Sequence, residues 1–132
     1  MKSFTSIEQS KKLAEILSLE SADMIYMPIM DIDSMSNSGF FNIPQCYSFN
    51  EFKNSNSKPL PCWSLAALLE IIPKDIEGLN RLRIDIDNVD FSIWYDDLKG
   101  YGVNDKLPDI TLKEPIDACV EMILKLKEKG LI

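Results

Sequence analysis

The chain has 132 residues, enough for one core but not for two ordinary domains, and 45% of them are apolar, so neither disulfides nor metals are needed to hold it together. Its 14 basic and 21 acidic residues give a formal charge of −7, which repels phosphate backbones and argues against direct nucleic-acid binding. Cys46, Cys62 and Cys119 form no CxxC pair, which excludes a thiolate zinc site and a disulfide framework and points to a cytoplasmic setting; every apolar run falls short of the roughly 18 residues that a membrane span needs.

From the N-terminus, Thr5-Ser6-Ile7-Glu8 has capping-box spacing, with Thr5 as the cap and Glu8 reaching back to it. It predicts a helix over about 6–17 whose Ile7, Leu13, Ala14, Ile16 and Leu17 form one buried stripe. Met24 to Ile32 is rich in Met, Ile and Tyr, but Pro28 cannot donate to a ladder, so a strand here is an edge or a broken one. Turn formers from Asp33 to Gly39 and a second apolar run from Phe40 to Phe49 suggest a long-loop hairpin, followed by a polar, exposed and mobile connection over Asn50 to Lys58.

Pro61-Cys62-Trp63-Ser64 opens the run Leu65 to Ile72, with Ser64 as N-cap and Pro73 as stop. Only Glu70 is charged in that run, so the expectation is a helix buried nearly all round at the centre of the core. Further on, Leu82, Ile84 and Ile86 alternate with Arg83, Asp85 and Asp87, and Phe91, Ile93 and Tyr95 alternate with Ser92, Trp94 and Asp96. With a turn at Asn88 to Asp90, the two runs predict an antiparallel hairpin. Gly100-Tyr101-Gly102 and Asn104-Asp105 mark a loop. Pro115 then suits the first position of a last helix with a buried stripe of Ile116, Val120, Ile123 and Leu124, ended by Gly130 with Leu131 closing over the cap. The order α-β-β-α-β-β-α predicts a single α+β domain over 1–132, with three helices packed on a small antiparallel sheet of about four strands in two hairpins.

The chain has no histidine, which removes the commonest general base, Ser-His and Cys-His nucleophile pairs and histidine metal sites together. Gly100-Tyr101-Gly102 lacks the third glycine of a dinucleotide turn, and neither a cofactor nor a metal is expected. Asp31-Ile32-Asp33 and Asp85-Ile86-Asp87 begin like calcium loops, but Met35 and Val89 occupy the third ligand position. Cys62 reads as a buried structural cysteine rather than an activated thiolate.

Two stretches are acidic: 13–52, which carries Glu15, Glu20, Asp23, Asp31, Asp33 and Glu51 without a basic residue, and 84–98, which holds Asp85, Asp87, Asp90, Asp96 and Asp97. They read as a solvated face, or as a surface for a basic host or phage protein. Aromatic side chains dominate contact hot spots, so Trp94, Tyr95, Trp63 and Tyr101, with Asp85 and Asp87 beside Trp94 on the polar strand face, are the candidate binding residues. No catalytic residue is assigned.

Three stretches, Ser6-Ile7-Glu8-Gln9-Ser10-Lys11-Lys12-Leu13-Ala14-Glu15 with Glu20-Ser21-Ala22-Asp23-Met24, Pro61-Cys62-Trp63-Ser64-Leu65-Ala66-Ala67-Leu68-Leu69 and Asp117-Ala118-Cys119-Val120-Glu121-Met122-Ile123, together resemble a family of small uncharacterised proteins of gut anaerobic bacteria and their phages or mobile elements. The resemblance implies a mobile-element origin and brings no activity, cofactor or catalytic residue. The expected function is a non-enzymatic protein-interaction or accessory module. The alternative is a hydrolase or small-ligand binder in which Glu20, Asp23, Asp85 and Asp87 converge in one pocket.

Overall fold

The structure, a computed structural model, describes residues 1–30, 37–46, 58–77, 80–97, 107 and 109–132. The fold is α+β, with three helices and eight short strands among the described residues, in the order α-β-β-β-β-α-β-β-β-β-α. The strands pair antiparallel throughout. That is about twice the expected strand number, because several strands are only two or three residues long and carry no readable alternation. The residues gather into two compact units, an N-terminal one of Ser3–Ala67 and a C-terminal one of Leu68–Ile132 together with Met1–Lys2.

In the N-terminal unit, α1 (Ile7–Ala14) starts one residue later than its capping-box reading. Ser6 is the cap, accepting from the Gln9 N–H at 3.2 Å, while the Gln9 side chain accepts from the Ser6 N–H at 2.9 Å. Thr5 has a different use: its main chain bonds Trp63 and its hydroxyl points into the core. Pro28 breaks the next segment, as its missing donor requires, into β1 (Met24–Tyr26) and β2 (Pro28–Met30).

β2 pairs with β3 (Asn37–Phe40), which begins inside the supposed turn residues. β1 pairs instead with β4 (Leu60–Cys62), the segment read only as the lead into a helix. Pro61 is tolerated in β4 because it lies opposite Ile25, whose own N–H and C=O turn the other way and bond Gln45 at 2.9 and 2.8 Å.

α2 (Leu65–Ile71) is capped by the Ser64 hydroxyl, which accepts from the Ala67 N–H at 3.2 Å, and stops before Pro73. The expectation of a helix buried on all sides is corrected: Ala67, Leu68 and Ile72 are buried, whereas Ala66 and Glu70 are exposed and Leu65, Leu69 and Ile71 are half-buried. Small Ala66 and charged Glu70, four residues apart, leave one stripe that can face water.

The C-terminal unit is a four-stranded sheet in the order β5-β6-β7-β8 (Asp75–Ile76, Asn80–Ile86, Phe91–Asp97 and Ile110–Leu112) with α3 (Pro115–Glu128) packed on β7 and β8. The predicted hairpin is β6 and β7, with Arg83 opposite Trp94 and Ile84 opposite Ile93. α3 starts on Pro115 and buries Ile116, Cys119, Val120, Met122, Ile123 and Leu126. It ends in a Schellman motif: Gly130 at φ 71° lets its own N–H reach the Lys127 carbonyl and the Leu131 N–H reach that of Leu126.

The calcium-like start at Asp31, the polar connection over 50–57 and the loop around Tyr101 lie outside the described residues. Among those described, no helix is long and apolar enough to cross a membrane.

Candidate interaction surface on the C-terminal sheet

The polar groups around Thr5 in the N-terminal unit are spent on its own structure. Thr5 bonds the Ser10 hydroxyl at 2.8 Å and accepts from the Trp63 N–H at 3.1 Å, and its carbonyl accepts from the Tyr26 hydroxyl at 2.7 Å. Cys62 lies against this cluster, and burial holds its thiol above the ordinary range despite hydrogen bonds with Thr5, Ser10 and Tyr26. A buried thiol held in its protonated form is a packing element. Trp63, expected at a binding surface, is fully buried and donates its indole N–H to Ser21 at 2.9 Å, so that expectation is corrected.

Of the four carboxylates expected to converge, Glu20 and Asp23 belong to the N-terminal unit and Asp85 and Asp87 to the C-terminal one, and three of them have local bonding tasks. Ser18 donates to Glu20 at 2.7 Å, and Asp23 accepts from both the N–H and the hydroxyl of Ser64 ahead of α2. Asp87 accepts from the Val89 and Asp90 N–H groups, each at 2.7 Å, which closes the β6–β7 turn and holds its carboxyl below the usual range. Asp85 is exposed. Among the described residues no group of three or more Cys, Asp and Glu side chains could hold a metal.

The two faces of the C-terminal sheet differ. One carries Arg81, Arg83 and Asp85 of β6 opposite Asp96, Trp94 and Ser92 of β7, with Ser92 bonded to Thr111 of β8. Asp96 accepts from the Trp94 indole at 2.8 Å and from Arg83 at 2.7 Å; both bonds, the indole's first, hold its carboxyl below the usual carboxylate range. Trp94 is therefore half-buried and fixed rather than loose. Tyr95 points to the other face, 7% exposed, with its hydroxyl donated to the Pro73 carbonyl at 2.6 Å and its pKa raised by burial.

That other face is covered by α3 only over β7 and β8, where Phe91, Ile93, Tyr95 and Ile110 are buried. On β6 the same face leaves Ile84 41% and Ile86 70% exposed. Beside them Leu69, Leu82 and Ile84, with Lys74, Asp75 and Arg81 at the rim, line a groove of about 390 Å³. No family model, no curated protein and no solved structure matches this chain.

The hydrogen-bond phase of β6 gives this strip a second property. Asp87 donates its N–H to Asp90 across the turn, so the odd-numbered residues of β6 bond β7 and the even-numbered ones turn to the opposite edge. There Leu82 donates to Lys74 at 2.9 Å and β5 pairs with Asn80 and Arg81, which leaves the main-chain groups of Ile84 and Ile86 at an open edge among the described residues. Alternation in the sequence puts both isoleucines on the apolar side of the strand and leaves open whether another element covers them. One helix is about as wide as two strands are spaced, so a single α3 cannot cover four strands, and that mismatch was the available signal.

Proposed function

We propose that the protein is a non-enzymatic interaction module, an accessory protein of mobile-element origin, which docks another polypeptide along the open edge of β6. One observation carries the reading: among the described residues Ile84 and Ile86 present edge main-chain groups without a partner and exposed apolar side chains together, next to an apolar groove. Sheet edges are ordinarily blunted by charge, proline or a covering loop, and an uncovered apolar edge is a template for strand addition.

A photo-cross-linking residue at position 86 tests this in cells, with one at exposed Lys127 on α3 as the control. The reading predicts covalent protein adducts from position 86 alone. Adducts from neither position, or equally from both, contradict it. A second reading, a basic host or phage protein bound by charge, draws on exposed Asp85 and Asp109 and the net charge of −7. It predicts adducts whose yield falls steeply with added salt; flat salt dependence dismisses it.

A further inference from the structure

We propose that the partner at this edge is a second copy of the same chain, with β6 pairing antiparallel to β6 of its neighbour about a two-fold axis beside Ile84; the proposal rests on the reading of β6 as the docking edge. The strand carries its own complement. Along Arg81-Leu82-Arg83-Ile84-Asp85-Ile86-Asp87 the first two charges are basic and the last two acidic, all at odd positions and so on one face, with the apolar residues on the other.

Reversed and laid against itself with Ile84 opposite Ile84, the strand places Arg83 of each copy across from Asp85 of the other. Shifting the register by one pairing step sets Asp85 against Asp85, so charge selects the first alignment. The main chain agrees with it. Ile84 has both its N–H and its C=O on the open edge, the condition for a residue on the axis to exchange two hydrogen bonds with its symmetry mate.

Arg83 is available although Asp96 holds it: the 2.7 Å bond uses only its Nε, and the terminal nitrogens remain to meet a carboxylate. Lys74, bonded to Leu82, already occupies the edge at that end, so the ladder covers Arg83, Ile84 and Asp85 of each chain. The Ile86 side chain of each copy stands on the same sheet face as the groove lined by Leu69, Leu82 and Ile84 of the other. A ladder this short makes a weak, concentration-dependent dimer.

Sedimentation of the full chain from about 1 µM to about 1 mM tests the proposal, in about 0.15 M salt to screen the repulsion between two acidic molecules. The wild type should pass from monomer to dimer. Asp85→Lys alone sets two cations against each other, and Arg83→Glu alone sets two anions. Each should weaken association on the order of tenfold or more, and an equimolar mixture of the two variants should restore it. In the mixed dimer the introduced glutamate faces the introduced lysine, and the unaltered Arg83 of one variant faces the unaltered Asp85 of the other. Recovery in the mixture also shows that both variants are folded. A wild type that stays monomeric throughout, or a mixture no tighter than its components, overturns the self-pairing. Cross-links from position 86 to a different protein would in that case leave the docking edge standing, whereas their absence would remove both.

Discussion

Asp96 and Trp63 show how single side chains divide between surface and core. Asp96 holds Trp94 and Arg83 together, and its folded-state pKa lies below the unfolded one, so the stability it contributes is present above about pH 4 and is lost as the pH falls through the lower folded value. The Trp94 indole N–H resonance should stay in place down to about pH 4 and move below it, and Asp96→Ala should move it at neutral pH; an indole signal indifferent to both contradicts the clamp. Trp63 is the opposite case, since its indole is buried and bonded to Ser21. Trp63→Ala should destabilise by about 3–5 kcal/mol and Ser21→Ala by about 1 kcal/mol, read from urea unfolding. A tryptophan suits a contact surface and a core equally, and what decides here is a hydroxyl 42 positions away, which no local pattern reveals.

At the scale of elements, most helix ends were legible because capping chemistry is local, although α1 stops at Ala14 rather than near Leu17. Ser64, Pro73, Pro115 and Gly130 stand where their readings place them, while the first cap moved by one residue because Thr5 is drawn into the core by Ser10, Cys62 and Trp63. Gly130→Ala should lower stability by about 1 kcal/mol, since a Cβ strains the left-handed conformation at φ 71° although nothing crowds that position; an unchanged unfolding midpoint would contradict this account of the α3 terminus. Alternation in β6 and β7 gave their pairing correctly. It could not give the exposure of Ile84 and Ile86, because period two assigns residues to a face without saying whether another element lies over it.

For the whole molecule, the α+β class followed from helical and alternating patterns, whereas the sheet partners did not, because the pairing of β1 with β4 joins residues more than thirty positions apart through segments only three residues long. Among the described residues the end of β6 that carries Ile84 and Ile86 is open both on its apolar face and along its edge, and on that coincidence the functional account stands. Amide hydrogen exchange along β6 measures it directly. In dilute solution the Arg83 and Asp85 amides, bonded to β7, should exchange slowly and those of Ile84 and Ile86 fast; on concentration, Ile84 alone should become protected. An Ile84 amide as slow as Arg83 at the lowest concentration would mean that the edge is already closed within the monomer and would contradict the account.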